Sequence, residues 1–342
     1  VLGSLRDTLS NIRKWSKPRR VMASLAHFPS SCRVEPQPYG VALIMSPWNY
    51  PVLLCLDPLI AALSAGNCCV VKPSSTTPAT SAVLAEMLGS IFPPAYVSVV
   101  LGGRESIGAL LEQKFDYIFF TGSPKVGHVV MEAAARHLTP LTLELGGKSP
   151  CIVDESANVR VAARRIAFGK ILNAGQTCVA PDYLMIHASR KEEFVAEYRA
   201  AVQEMLGEEP LQNKEFTHII NARHAESLRI EPTLLDGITP DSAAMQEEIF
   251  GPILPMMTWE KWNDVEDFVL SRPRPLASYL FTTDSTAEKR FIANLAFGGG
   301  CVNDTIIHLA VHGLPFGGIG DSGMGAYHGK VGFDTFSHTK SI

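Results

Sequence analysis

The sequence predicts an α/β protein built on doubly wound parallel sheets, and three observations predict it. Short apolar runs alternate with helical patterns along most of the chain. The runs are continuous in Val, Ile and Leu rather than alternating with polar residues, as expected of strands covered on both faces. The chain has 342 residues, 46% hydrophobic and 19% charged, which is enough for about two domains with real cores.

In chain order, the first residues, Val1–Arg20, are amphipathic and basic, with Leu2, Leu5, Leu9 and Ile12 on one helical face. A hairpin is expected from Met22 to Pro38. Strands follow at Gly40–Ser46, Cys68–Lys72, Val97–Leu101, Tyr117–Thr121 and Leu141–Leu145. Between them lie helical stretches at Val52–Ala65, Thr80–Ile91, Ser106–Gln113 and Lys125–His137. The rhythm then repeats. Cys151–Val153, Tyr183–His187, Leu254–Met257, Ser278–Phe281 and Gly300–Asn303 read as strands, and Val159–Leu172, Lys191–Leu206, Trp262–Leu270 and Thr286–Leu295 as helices. Ile219–Arg229 reads as a helix that runs into Ile230-Glu231-Pro232 with no turn residue between, so either the helix ends abruptly there or residues are missing at that join.

Composition removes several function classes. The formal charge is −4 with no long basic run, so there is no electrostatic footprint for nucleic acid. No apolar run reaches the ~20 residues that span a bilayer. Seven cysteines without a CxxC pair point to a reducing, cytoplasmic setting rather than a disulfide scaffold. His308 and His312 lie four apart but lack a third ligand, so no metal site is expected.

Four segments carry chemistry. Phe119-Phe120-Thr121-Gly122-Ser123-Pro124-Lys125-Val126-Gly127 runs a strand straight into a helix, with Ser123 as N-cap and Pro124 at N1. A glycine there lets backbone approach a phosphate, although GxxxxG is not the dinucleotide fingerprint and many such turns are only turns. Asn173-Ala174-Gly175-Gln176-Thr177-Cys178 places one thiol among polar, turn-forming neighbours, as a nucleophile needs; a buried structural thiol is the alternative. In Leu143-Glu144-Leu145-Gly146-Gly147-Lys148, a carboxylate inside an apolar strand is either a desolvated general base or an edge-facing group paired with Lys148. Ser46-Pro47-Trp48-Asn49-Tyr50-Pro51 closes the first strand, where Asn49 offers an amide to an oxyanion or simply a turn. Lys72 and Glu248 are charged residues at strand or loop edges that exposed ion pairs would explain.

Together these segments resemble the aldehyde dehydrogenase superfamily, most closely its class 3-like branch. The motifs Pro-Trp-Asn-Tyr-Pro, Phe-Thr-Gly-Ser, Leu-Glu-Leu-Gly-Gly-Lys-Ser-Pro, Gly-Gln-Thr-Cys and Glu-Glu-Ile-Phe-Gly-Pro occur in family order. Leu314-Pro-Phe-Gly-Gly-Ile-Gly-Asp-Ser-Gly-Met-Gly325 follows, then Tyr327-His328-Gly329-Lys330. The resemblance implies a Rossmann-like NAD(P)-binding domain over residues 1–21 and 39–144 and an α/β catalytic domain over 145–330. A small β bridging or oligomerisation element over 22–38 and 331–342 would pair with a second subunit, giving a homodimer. It implies oxidation of a medium- or long-chain aliphatic or aromatic aldehyde to a carboxylic acid. Cys178 would be the nucleophile, Asn49 and the Cys178 N–H the oxyanion donors, and Glu144 the base that activates the hydrolytic water. Lys72 and Glu248 would meet the ribose hydroxyls and Gly122 and Ser123 the pyrophosphate, with Pro47, Trp48, Ser75, Gly127 and Phe250 completing the cofactor contacts.

Departures from the family pattern refine these expectations. Ser75 stands where many relatives have a Glu that disfavours a 2′-phosphate, so NADP is expected beside NAD. Family members have a longer segment at Arg229–Ile230 and extend beyond both ends; membrane contact is expected only through a C-terminal tail outside this sequence. An acylating dehydrogenase using coenzyme A, a cysteine hydrolase and a non-catalytic protein on the same fold are the rival readings. Nicotinamide-dependent absorbance separates the second, and the presence of Cys178, Glu144 and Asn49 speaks against the third.

Overall fold

The computed structural model describes residues 1–220 and 228–342. Its strands are β1 (Arg19–Val21), β2 (Cys32–Pro38), β3 (Val41–Met45), β4 (Cys68–Lys72), β5 (Val97–Val99), β6 (Tyr117–Thr121), β7 (Leu141–Glu144), β8 (Pro150–Val153), β9 (Tyr183–His187), β10 (Thr233–Leu235), β11 (Ile253–Trp259), β12 (Ala277–Phe281), β13 (Gly299–Val302), β14 (Gly323–Met324) and β15 (Ser337–Ser341). The helices that frame the sites are α1 (Leu2–Trp15), α2 (Leu53–Ser64), α3 (Pro78–Ile91), α4 (Arg104–Leu111), α5 (Pro124–Ala135), α6 (Val159–Ile171) and α7 (Lys191–Leu206).

The chain divides into two compact units. The first comprises Val1–Glu144, Val311–Gly317 and Met324–Ile342; the second, Leu145–Ala310 and Gly318–Gly323. In the first, the order β7-β6-β3-β4-β5 is parallel throughout, with α2, α3, α4 and α5 as crossovers. The chain leaves β3 towards β4 and β5, then returns to its other side for β6 and β7. The reversal between β3 and β6 is the topological switch point, and its crevice lies outside the carboxyl ends of those strands. Ala42, Leu43, Ile44, Ile118 and Phe119 are essentially buried, as the continuous apolar runs require. Pro58 lies inside α2, which continues through it.

A three-stranded antiparallel sheet, β1-β2-β15, belongs to the same unit. Its hairpin starts at Arg19, three residues before the expected Met22. Residues 311–317 and 324–330, grouped from sequence with 145–330, pack with the first unit. Phe316 and Tyr327 exchange backbone hydrogen bonds of 2.9 and 2.8 Å, and the Tyr327 ring meets Phe119 edge-on at 5.0 Å.

In the second unit the sheet order is β10-β11-β9-β8-β12-β13, again parallel. Its core includes Ile152, Tyr183, Met185, Val265, Leu280 and Phe291. Strand β10 was not anticipated: Pro232 precedes it and three residues give no periodicity. The helix expected over Ile219–Arg229 falls largely outside the described residues. At its flanks Ile219 and Leu228 form an isolated antiparallel bridge. No described helix is long and apolar enough to cross a membrane.

Candidate active site

The first unit gathers its candidates at the carboxyl edge of the sheet. Register places Met45 beside Lys72 and Phe120, and Thr121 beside Glu144. Ser46-Pro47-Trp48-Asn49 therefore leaves β3 at the switch point, and Gly122-Ser123 leaves β6 on its other side. Ser123 is the residue before α5, as expected, but its hydroxyl makes no capping bond to the helix. Gly122 is demanded by packing: a Cβ there would lie 2.5 Å from Phe120 Cζ. The Thr121 hydroxyl is buried without a hydrogen-bond partner. Gly127 is buried on α5.

Glu144 ends β7 with 2% of its surface exposed, and neither carboxylate oxygen has a hydrogen-bond partner. Burial pushes its carboxyl well above the usual range. The edge-facing alternative is thereby corrected, because Lys148 is engaged elsewhere. Lys72 likewise forms no exposed ion pair. It is 3% exposed, its ammonium donates to the Pro73 carbonyl at 2.7 Å, and burial lowers its pKa. Ser75 is exposed and faces Gly103 just ahead of α4.

The second unit gathers its candidates at the opposite kind of edge, the amino ends of the strands. Its carboxyl edge is filled: the Asp154 carboxylate accepts from Ser156 and Thr282 hydroxyls at 2.7 and 2.9 Å, and Asn303 brackets Thr282 with two further bonds. At the amino edge, α6 ends in three consecutive left-handed residues, Asn173, Ala174 and Gly175, with φ of 50°, 50° and 71°. Only glycine fits the third position, since a Cβ would sit 2.2 Å from the Gly251 carbonyl oxygen. Gln176 locks the turn. Its amide donates to the carbonyls of Asn173 and His218, both at 3.0 Å, and its oxygen accepts from the Ile220 N–H at 2.9 Å. This presents Cys178, half-buried and not disulfide-bonded, while Tyr279 donates to the Val179 carbonyl at 2.6 Å.

The Glu-Glu-Ile-Phe-Gly-Pro loop joins the same cluster. Lys148 pairs with Asp182 and donates to the Ala244 and Glu247 carbonyls at 2.8 Å, and the other Asp182 oxygen accepts from the Ile249 N–H at 2.8 Å. Glu248, read from sequence as an exposed pairing residue, instead packs its carboxyl against Gly146, where a Cβ would lie 2.3 Å from it. Burial raises its pKa to about 8 against a backbone hydrogen bond from Gly147. Phe250 holds φ of 45°, a strained value for a non-glycine residue. Sequence reasoning missed Lys170, which is 1% exposed and whose ammonium burial lowers to about 8, with Asp182 opposing the shift. The signal was available: Lys170 falls on the Ala163, Ile166, Ala167 stripe that α6 buries. Among the described residues no cluster of three or more His, Cys, Asp or Glu is placed to hold a metal.

Comparison with known proteins agrees with the motif order. The profile of the aldehyde dehydrogenase family matches residues 6–230 and 222–342, two stretches that overlap across the abrupt join. The chain is 45% identical to the 4,4'-diaponeurosporen-aldehyde dehydrogenase of Staphylococcus aureus, covering 100% of this chain and 79% of that protein. It is 43% identical to aldehyde dehydrogenase family 3 member H1 of Arabidopsis thaliana, over 99% of this chain and 75% of the relative. The crystal structure of a Mycobacterium tuberculosis aldehyde dehydrogenase complexed with NAD+ superposes with a TM-score of 0.87 at 28% identity, over 99% of this chain and 76% of that one. The chain belongs to the aldehyde dehydrogenase family, in its class 3-like branch, and is an oxidoreductase that oxidises aldehydes with a nicotinamide cofactor.

Proposed function

We propose that Cys178 is the nucleophile of this oxidation, Asn49 an oxyanion donor and Glu144 the base of the hydrolytic step. The observation that carries the reading is Cys178 itself, the thiol presented by a strained and clamped turn. Strain of this kind persists only where the surroundings over-determine it, and it concentrates at reacting groups. The Cys178 thiolate adds to the aldehyde carbon, and the carbonyl oxygen becomes an oxyanion held by the Asn49 amide and the Cys178 backbone N–H. A bound nicotinamide would supply the hydride acceptor, and loss of hydride from the adduct leaves a thioester on Cys178. Glu144 then takes a proton from water as that water attacks the thioester, which releases the carboxylic acid and the free thiol. Coenzyme A as acceptor would need no such base, so the buried carboxyl favours water.

The residues fit a dinucleotide. Gly122 and Ser123 lie at a sheet switch point where a helix begins, and the Ser123 hydroxyl is uncommitted to that helix. Pro47 and Trp48 follow β3, Thr121 ends β6 and Gly127 lies on α5, while Lys72 ends β4 and Ser75 follows it. Glu248 and Phe250 are the remaining residues assigned to the cofactor. Residues 1–18, 39–144, 311–317 and 324–330 then form the cofactor-binding domain, and 145–310 with 318–323 the catalytic one. A hydroxyl at Ser75 offers no charge against a 2′-phosphate, so both NADP and NAD are accepted. Steady-state kinetics with each checks this, and complete failure with NADP would refute it.

The substrate is a medium- or long-chain aliphatic or an aromatic aldehyde; the Staphylococcus aureus relative is named for 4,4'-diaponeurosporen-aldehyde. None of the seven cysteines is disulfide-bonded, which favours a reducing, cytoplasmic setting. The working unit is a homodimer joined through the sheet containing β15. The direct test is Cys178→Ala: aldehyde-dependent absorbance at the reduced nicotinamide band should vanish while cofactor binding, read by protein fluorescence quenching, persists. Retained turnover would overturn the assignment.

A further inference from the structure

We propose that the loop between β1 and β2, with the cationic segment that leads into it, docks the protein on an anionic lipid membrane. Between Asp7 and Glu35 the chain carries Arg13, Lys14, Lys17, Arg19, Arg20 and Arg33 and not one acidic residue. That segment is therefore +6 in a chain whose total is −4, and the remainder is −10. Within it, residues 16–31 are exposed throughout except for half-buried Ala23.

Three large apolar side chains stand out from this basic ground. Met22 is 96% exposed, Leu25 92% and Phe28 84%, all within seven residues of chain. Single exposed apolar residues are ordinary; three nearly bare ones on one loop, beside a concentrated positive charge, mark an interaction surface. An open cavity of about 300 Å³ lies among Arg20, Met22, Leu25 and Phe28. A second, of about 640 Å³, is lined by Lys14, Trp15, Lys17, Arg19 and Lys330. The acidic groups that face this region from neighbouring elements are already paired: Glu35 with Arg33 and Lys340, and Asp334 with Lys330. Glu35 thus offsets Arg33, while Arg13, Lys14, Lys17, Arg19 and Arg20 form no ion pair among the described residues.

Charge decides the occupant. A two-fold contact between copies would set this acid-free +6 segment of one chain near that of the other. An anionic bilayer supplies the opposite sign over the whole patch and an apolar layer into which Met22, Leu25 and Phe28 insert. Contact of this kind is peripheral, requires no spanning helix and requires no C-terminal tail. It stands on the first unit alone and is independent of the catalytic assignments.

The test is flotation of the full chain with phosphatidylcholine vesicles, with and without phosphatidylglycerol. Binding is expected only to the anionic vesicles and should weaken with added salt. Arg19→Glu with Arg20→Glu should reduce it about tenfold or more, since each cation near such a surface contributes several-fold. Met22→Ser with Leu25→Ser and Phe28→Ser should reduce it as well, and both variants should turn over a short water-soluble aldehyde normally. A Leu25→Trp reporter in the otherwise unchanged chain covers the case of a misfolded variant: its emission should shift to the blue with anionic vesicles and stay put with neutral ones. Equal binding to both vesicles, binding to neither, or an unshifted reporter would overturn the proposal. So would conversion of a dimer to monomers by the three serine substitutions in a protein that ignores vesicles, which would assign the loop to contact between copies.

Discussion

A carboxyl group with 2% exposure and no donor to either oxygen holds its proton tightly, and Glu144 is such a group. Its pKa is raised by burial with no opposing charge to lower it. As the proposed base, Glu144 works only when ionised, so turnover should fall as pH drops through this raised value, above the ordinary carboxylate range. Glu144→Gln should remove that acid limb. It should also leave a first burst of reduced nicotinamide intact while slowing steady turnover by about 10²–10⁴, the usual contribution of a general base. Rapid-mixing and steady-state measurements across pH check both. A variant that loses the burst and the steady rate together would place Glu144 before thioester formation instead. The contrast with Lys148 explains why the residue scale was only partly legible. Both readings of Glu144 were open in Leu-Glu-Leu-Gly-Gly-Lys, because sequence neighbours say nothing of the Asp182 carboxylate that captures Lys148 from 34 residues away.

Elements place these residues by two different rules. In the first unit the site follows the sheet's switch point, so alternation of strands and helices sufficed to locate Asn49 and Gly122 on its carboxyl edge. In the second unit that edge is occupied by the Asp154, Thr282 and Asn303 network, and the reactive loop enters at the amino end of β9. No periodicity signals this. Only the Gly-Gln-Thr-Cys motif did, and its meaning lies in the turn: Gly175 touches the backbone of Gly251, which couples the Cys178 loop to the loop bearing Glu248 and Phe250. Gly175→Ala should therefore cost on the order of 2–4 kcal/mol, from backbone strain at positive φ and displacement of Gly251. Urea unfolding would measure it. Asn173→Gly, at a left-handed position that glycine adopts freely, should cost less than about 1 kcal/mol. Equal losses at the two positions would mean that the turn is not what the contact with Gly251 fixes. Long strands and helices were read from sequence to within a few residues. The short β1 and β10 escaped, because three residues carry no period and their pairing is a property of partners far along the chain.

At the scale of the whole molecule, the sheet β1-β2-β15 ties the end of the described chain to its beginning. Arg33 and Ile342 exchange backbone hydrogen bonds of 2.8 and 2.9 Å, so Glu35–Lys340 and Gln37–His338 are the next hydrogen-bonded pairs and Pro36–Thr339 and Pro38–Ser337 are not. The two prolines thus stand where β15 asks for no donor, and β1, which opposes only Cys32–Val34, asks for none either. By the same alternation the N–H groups of Ser337, Thr339 and Ser341 point away from β2, along the outer edge of the sheet. A homodimer formed by strand addition would use those groups. Thr339→Pro removes one without touching the ladder to β2, so it should convert the dimer to monomers in light-scattering measurements while the thermal midpoint of the monomer stays within a few degrees. A dimer that survives this substitution would have its interface on another face, and strand addition at β15 would be excluded.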